Sequence, residues 1–284
     1  MRYSTKPLDE AKYIVVAVHY YAEKSAWGLM TPEAQHVDLC ACVAKRRKRL
    51  VFTGQSACAI YGIPRLDDFE MRPHCVSEKA KGTDFIRWRY GTEDPNAAIL
   101  RGTWVVSPAR AVCDLAKFDS PGSLLVSINY CLNKKLFTKG QLREEIARRP
   151  GRRWKNVLER LLRHATGQCE SPLETIAWAA LYEGGYKMPR QQVDFYEDHV
   201  HVARVDMYWK CRGRRIVFEL DGKRKYSEPD VLFDEKVRED KLREMGFEVF
   251  RATWKDVYNG ALIRKLTKMK IPKRRYFGKA FPQK

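Results

Sequence analysis

The chain has 284 residues, of which 44% are hydrophobic and 12% aromatic, enough for a packed core and for roughly two domains at ~100–200 residues per domain. This composition excludes disorder over most of the length, because solvated disordered segments are poor in aromatic residues. Lys and Arg number 54 against 35 Asp and Glu, a formal net charge of +19, which favours a polyanionic partner such as DNA.

The first half of the chain is predicted to be mostly helical, with a few short strands. Apolar spacing and helix-start signals predict helices over residues 9–24, 33–48, 55–61, 108–118, 122–133, 138–148 and 152–164. Two strands are predicted between the third and fourth of these helices, over 84–90 and 103–106. Helices joined by a sharp turn and followed by strands favour a winged helix-turn-helix.

Basic residues concentrate in three runs along the chain. The runs lie at 45–49, 148–155 and 264–284, and the last contains no acidic residue. A solvated helix face explains a single run, but three runs in one chain favour contacts with DNA phosphates. No helix face rich in Trp, Phe and Leu accompanies them, so no membrane partner is expected.

A different architecture is predicted after Gly167. A helix is expected to begin at Ser171-Pro172-Leu173-Glu174 and to run to Tyr182. The later elements are strands over 190–196, 202–209 and 214–221, a helix over 231–245, a strand over 247–253 and a last helix from Trp254. The order α-β-β-β-α-β-α predicts a mixed sheet covered by helices.

Cysteine usage and hydropathy set the expected compartment. The eight cysteines are scattered and lack the spacing of a zinc site or of a disulfide framework. The sequence has no run of 18 apolar residues, the length that would predict a membrane helix. The N-terminal segment lacks the pattern of a secretory signal. We therefore expect a soluble cytoplasmic protein with reduced thiols.

Three carboxylates fall on two neighbouring predicted strands. Asp206 lies in an alternating strand, and Glu219 and Asp221 follow the apolar run 216–218 in the next strand. Because a short turn joins these strands, we expect the acids to lie close together. Acids in a buried strand are costly unless a cation or hydrogen bonds satisfy them, and their hard oxygens suit Mg²⁺, with Mn²⁺ as the alternative ion. Such a cluster in a basic protein is typical of phosphodiester hydrolysis.

Four motifs in the second half strengthen this interpretation. They are, in order, ESPLE, VARVDMYW, FELDGKRKY and EKVREDKLREMGFEVFRATWKDV. Together, residues 168–258 resemble the very-short-patch-repair-like branch of the PD-(D/E)XK nucleases, a match that covers about a third of the chain. The resemblance implies a DNA endonuclease that leaves 5′-phosphate and 3′-hydroxyl ends. It also implies that Asp206 is the central metal ligand, with Glu219 and Glu174 at the same metal site.

The family's third catalytic position is commonly lysine, but this chain has Asp221 there. A lysine beyond the Gly222 turn, Lys225 or Lys223, would then supply the positive charge from a displaced position. The catalytic set implied by the resemblance is therefore Asp206, Glu219, Asp221, Lys225 and Glu174. Candidate DNA contacts near this site are Lys223, Arg224, Lys225, Arg238 and Lys241.

The first half carries a second resemblance. VFTGQSACAIYGIP and WVVSPARAVCDLAKF are similar to the winged-helix domain of AbiEi-type antitoxins, which implies a DNA-binding or regulatory module. Its candidate DNA contacts are Arg46, Arg47 and Lys48. The expected fold class is α+β, a mostly helical winged-helix-like region followed by a mixed-sheet, restriction-endonuclease-like α/β domain. The predicted regions are 1–66 (winged-helix-like), 67–166 (small strands and a helical middle region), 167–260 (nuclease-like) and 261–284 (basic tail).

Two functions remain open at this point. One is a Mg²⁺-dependent endonuclease, and the other is a catalytically silent, antitoxin-like transcriptional regulator that binds DNA and a toxin or a second copy of itself. Single residues also have structural interpretations: Glu174 fits a capping box with Ser171, and Asp221-Gly222 fits a turn. The basic tail either follows DNA phosphates or docks onto the nuclease sheet through its aromatic residues.

Overall fold

The computed structural model describes residues 1–47, 50–78, 85–91, 94–148, 151–222 and 229–274. The chain divides into two compact units, Met1–Leu162 and Arg163–Lys284. Both units mix helices and strands, so the α+β class is confirmed. Among the described residues, no helix is long and apolar enough to cross a membrane.

The first unit begins with a small antiparallel sheet. Its strands are β1 (Arg2–Tyr3), β2 (Tyr13–Ala17) and β3 (Tyr20–Glu23), with β3 in the middle, and a short helix α1 (Lys24–Trp27) follows. The predicted helix over 9–24 is therefore wrong. The β-branched run Ile14-Val15-Val16 favours a strand, and His19, at φ +66°, makes the tight turn between β2 and β3.

Two helices follow as predicted. In α2 (Pro32–Arg46), Thr31 Oγ1 accepts the N–H of Ala34 at 3.3 Å and caps the helix. In α3 (Gly54–Tyr61), the chain leaves the helix through Gly62 in the left-handed conformation, at φ +71°. Residues 54–60 of α3 are all buried, so this helix is a core element.

A five-stranded sheet joins the two predicted N-terminal regions. Its strands are β4 (Val51–Phe52), β5 (His74–Ser77), β6 (Arg87–Tyr90), β7 (Ala98–Leu100) and β8 (Thr103–Val105), in the order β6-β5-β4-β8-β7. Strand β4 comes from the predicted region 1–66 and the other four from 67–166, so the sheet makes one compact unit of both. The predicted helices follow as α4 (Pro108–Leu115), α5 (Pro121–Asn133), α6 (Lys139–Arg148) and α7 (Arg152–His164).

A buried ion pair ties the loop after α3 to the segment before α5. Arg65 donates to both carboxylate oxygens of Asp119, from Nε at 2.8 Å and from Nη2 at 2.7 Å. The two side chains are 3% and 1% exposed. Because both charges are removed from water together, loss of either one leaves the other uncompensated.

The second unit is a mixed four-stranded sheet with helices on both faces. Its strands are β9 (Arg190–Glu197), β10 (Val200–Cys211), β11 (Arg214–Asp221) and β12 (Glu248–Thr253), in the order β12-β11-β10-β9. Its helices are α8 (Pro172–Glu183), α9 (Pro229–Glu244), α10 (Trp254–Tyr258) and α11 (Ala261–Lys268). Strands β9, β10 and β11 pair antiparallel, whereas β12 pairs parallel with β11 after the crossover through α9. The mixed sheet and the predicted order of elements are confirmed as far as α10, and α11 is a further helix that was not predicted.

The two faces of this sheet have separate cores. On one face, Met207 and Phe218 pack with apolar residues of α8 and α11, such as Ala177 and Leu262. On the other face, Val205 and Val217 pack with Leu242 of α9. The sheet is therefore packed on both faces, by α8 and α11 on one and by α9 on the other.

The segment 261–274 differs from the basic tail predicted for 261–284. Helix α11 buries Leu262 and Leu266, and Ile271 is also buried. Beyond α11, the N–H of Lys187 donates to the carbonyl of Pro272 at 2.8 Å. The segment therefore packs its apolar side chains into the second unit, while the basic side chains of Arg264, Lys265, Lys268 and Lys270 are exposed. Residues 275–284 of the predicted tail lie outside the described residues.

Candidate functional site

Antiparallel pairing brings Asp206 and Glu219 side by side. The β10–β11 ladder pairs Met207 with Phe218, so Asp206 and Glu219 face each other one residue further along. The N–H of Leu220 donates to Asp206 Oδ2 at 2.8 Å, and this hydrogen bond anchors the Asp206 carboxylate to β11. The side chains of Asp206 and Glu219 are therefore neighbours on the sheet.

Glu174 reaches the same region from the first turn of α8. Its N–H donates to Ser171 Oγ at 3.1 Å, which caps the helix. Its carboxylate oxygen Oε2 accepts the N–H of Glu170 and the side-chain amide of Gln192, each at 2.9 Å. The Ser171 cap is therefore present, whereas the Glu174 carboxylate accepts from Glu170, one residue before the N-cap, and from a side chain of β9.

The three acids share a desolvated environment. Burial raises the pKa of Glu219 to about 7, the negative charge of Asp206 adds to this rise, and Arg238 and Arg251 oppose it. Burial also raises the pKa of Asp206, against the hydrogen bond from Leu220. For Glu174, burial raises the pKa, the N–H of Glu170 opposes the rise and Asp206 adds to it. Mutual repulsion of buried carboxylates is what a bound cation relieves.

The donor set fits a hard divalent cation. Glu219 is 8% exposed, and its Oε1 has no hydrogen-bond partner among the residues that the structure describes. Arg238 Nη2 lies 3.9 Å from it, too far for a hydrogen bond. The described part of the chain has no group of three or more His, Cys, Asp or Glu side chains placed to hold a metal ion. Mg²⁺ is usually held by one or two carboxylates together with waters and substrate phosphates. Asp206 and Glu219 match that requirement in donor type and burial.

Asp221 contacts an arginine of the neighbouring strand. Arg251 Nη1, on β12, lies 3.4 Å from both carboxylate oxygens of Asp221. The Nε atom of the same arginine lies 3.0 Å from Glu239 Oε2 on α9. Asp221, which stands at the family's lysine position, is therefore part of an ion-pair network that links β11, β12 and α9.

The predicted DNA contacts on α9 fall into two environments. Arg238 lies beside Glu219, and its side chain is 38% exposed. Lys241 Nζ instead forms an ion pair with Glu197 Oε2 at the end of β9, at 2.5 Å. Lys223, Arg224 and Lys225 lie outside the described residues. Of the described candidates in this unit, Arg238 is the cation beside the acids.

In the first unit, the basic run after α2 is exposed. The Arg46 guanidinium lies over the Tyr3 ring, 4.2 Å from its centroid, and Arg47 follows as the helix cap. Basic side chains at a helix C-terminus also stabilise the helix dipole. Lys48 lies outside the described residues. Since residues 54–60 of α3 are buried, their side chains are not available to enter a DNA groove, whereas the predicted contacts Arg46 and Arg47 are exposed at the end of α2.

Sequence reasoning missed Gln192 and Arg251. Gln192 bonds to Glu174 and has φ +49°, a left-handed conformation inside β9. In the sequence it is an ordinary polar residue of a strand, and nothing in its neighbours signals the conformation. Arg251 lies in the alternating strand FEVFRAT, and its contact with Asp221 depends on the parallel register set by the crossover.

Comparison with known proteins gives a limited similarity. No protein-family model matches the chain, and no solved structure matches it. Two uncharacterized proteins, from two strains of Mycobacterium tuberculosis, are each 23% identical to it over 158 residues. The match covers 56% of this chain and 58% of each relative, so the chain spans less than two thirds of the curated relatives it matches. Their names state no activity.

Proposed function

We propose that the second unit is a Mg²⁺-dependent DNA endonuclease domain of the very-short-patch-repair-like kind. We propose also that the first unit is a winged-helix-like module that contacts DNA through the basic end of α2, since α3 is buried. One observation carries the proposal: the half-buried Asp206 and the buried Glu219 lie side by side, and one oxygen of Glu219 has no hydrogen-bond partner among the described residues. A net charge of +19 supplies the long-range attraction to DNA.

Each residue of the site would have a separate role in phosphodiester hydrolysis. Asp206 and Glu219 would hold the ion, with Glu174 beside them. When bound, Mg²⁺ polarises the scissile phosphate and lowers the pKa of a coordinated water. Arg238 is placed to neutralise phosphate charge, because it is partly exposed and adjacent to Glu219. Packing around the carboxylates excludes bulk water, which strengthens each of these interactions.

One observation favours the second candidate, a catalytically silent DNA-binding regulator. The family's lysine position holds Asp221, and Arg251 lies 3.4 Å from both of its carboxylate oxygens. An arginine keeps its proton at all accessible pH values and does not act as a general base. If no displaced lysine takes the missing role, the protein binds DNA without cleaving it.

A cleavage assay separates the two candidates. The full chain is incubated with supercoiled, mismatched and single-stranded DNA, in Mg²⁺ and in EDTA, and DNA binding is measured in parallel. The endonuclease predicts Mg²⁺-dependent cleavage of at least one substrate, with 5′-phosphate and 3′-hydroxyl ends that DNA ligase reseals. The regulator predicts binding of DNA and no cleavage under any of these conditions.

A further inference from the structure

Gln192 occupies an unusual position at the centre of the acid site. The β9–β10 ladder pairs Gln191 with Met207 and Val193 with Val205, so Gln192 and Asp206 lie opposite one another. The Gln192 amide donates from Nε2 to Glu174 Oε2 at 2.9 Å. Gln192 thus lies between two acids that come from different elements, β10 and α8.

The neighbours of Gln192 fix which way its amide points. Arg204 Nε donates to Gln192 Oε1 at 3.1 Å, and an arginine side chain has only donors. On the other side, an ionised Glu174 carboxylate has only acceptors. The amide therefore turns its N–H₂ group toward the acids. Arg204 is itself held by Glu170, whose Oε1 lies 3.3 Å from Arg204 Nη2.

The backbone of Gln192 adds an independent observation. At φ +49° it is left-handed inside a strand, a conformation that is unfavourable for a residue with a long side chain. A residue keeps such an unfavourable backbone conformation only where contacts with its surroundings hold it there, and residues of this kind cluster at functional sites. The charge-assisted contacts with Glu174 and Arg204 supply that constraint.

We infer that Gln192 is a positioning residue of the carboxylate site: its amide holds Glu174 and Asp206 in place for a divalent cation, and Arg204 fixes the orientation of the amide. This inference rests on the proposed function, since it assigns a role within the same site. Outer-shell partners of metal ligands typically contribute 10–100-fold to metal affinity.

The test is Mg²⁺ affinity in the absence of DNA, measured by isothermal titration calorimetry on the full chain. Gln192→Gly removes the amide and relieves the left-handed strain, and the account expects roughly 10–100-fold weaker Mg²⁺ binding. Arg212→Gly is the matched control, because Arg212 has φ +50° in the exposed β10–β11 turn. This control relieves the same kind of strain and should bind Mg²⁺ like wild type.

A second variant protects the test against misfolding. Arg204 is exposed, so Arg204→Met should fold normally and weaken Mg²⁺ binding in the same direction, because the amide loses its orienting donor. Affinities of both folded variants within twofold of wild type would overturn the role of Gln192 and leave the metal site intact. If Gln192→Gly fails to fold, Arg204→Met alone decides. Wild-type protein that shows no Mg²⁺ binding beyond that of Asp206→Ala would overturn the proposed function, and this inference with it.

Discussion

Replacing Glu219 by glutamine is expected to stabilise the metal-free protein above neutral pH. Glu219 is 8% exposed, and burial raises its pKa to about 7, whereas in the unfolded chain it ionises with its ordinary pKa of 4.5. Between these two values the folded protein holds a proton that the unfolded chain has released. Stability therefore falls as the pH rises through this window, and the loss is complete above pH 7.

The size of the effect follows from the shift. A rise of roughly 2.5 pH units, at ~1.36 kcal/mol per unit, removes about 3 kcal/mol from the free energy of unfolding at pH 8. Glu219→Gln keeps the shape of the side chain and has no charge to desolvate. The variant should therefore gain stability over wild type as the pH is raised, by up to this amount.

The assay is thermal unfolding of the full chain in EDTA between pH 5 and pH 8. At pH 8, the transition that includes the second unit should occur several degrees higher in Glu219→Gln than in wild type, and the two should converge toward pH 5. Buried histidines such as His36 titrate in both proteins and cancel in the difference. Glu244→Gln, an exposed position on α9, is the control and should follow wild type at every pH. A Glu219→Gln variant that is no more stable than wild type at pH 8 would refute the desolvated carboxylate.

Three further predictions address the cap, the first unit and the C-terminal segment. Ser171→Ala should cost about 1 kcal/mol of stability through loss of the helix cap and leave the cleavage rate unchanged. Glu174→Gln should instead slow cleavage at a nearly unchanged melting temperature. If Glu174→Gln cleaves as fast as wild type, Glu174 is not part of the metal site. Asp119→Ala should destabilise the first unit by about 3–5 kcal/mol in urea unfolding, because Arg65 is left buried and unpaired; a loss below about 1 kcal/mol would contradict this. Deleting residues 275–284 should weaken binding to all DNA sequences about equally and flatten the slope of log affinity against log salt, and an unchanged slope would show that the segment does not contact DNA.

The elements of the second unit could be predicted from the sequence because each carries a strong local signal. Ser171-Pro172 marks the start of α8, alternating and continuous apolar runs mark β10 and β11, and Gly246 separates α9 from β12. Where local signals conflict, the prediction was wrong: the apolar spacing of residues 9–24 predicted a helix, but their β-branched run forms a hairpin. The packed segment 261–274 was missed because its charge obscured the apolar spacing of Leu262 and Leu266.

The site was predictable only as far as the strand connections reach. A short turn joins β10 to β11, so the closeness of Asp206 and Glu219 follows from their positions alone. The ion pair of Asp221 with Arg251 depends instead on a parallel register that is set by a crossover of many residues. The pairing of Lys241 with Glu197 likewise depends on how α9 lies across the sheet, and local sequence does not encode that packing.

The most direct test of the central claim is the rate at which the full chain nicks supercoiled DNA as a function of Mg²⁺ concentration, compared between wild type and Asp206→Ala. Asp194→Ala is the matched control, since Asp194 is a more exposed acid on the adjacent strand β9, paired with His201. We expect the nicking rates of wild type and of the control to rise with Mg²⁺ concentration and to saturate, and the rate of Asp206→Ala to stay at background. The DNA affinity of Asp206→Ala should be nearly unchanged, because affinity comes mainly from phosphate contacts with Lys and Arg. Asp206→Ala protein that cleaves with the Mg²⁺ dependence of wild type, or wild-type protein that binds DNA and never cleaves it, would contradict the claim.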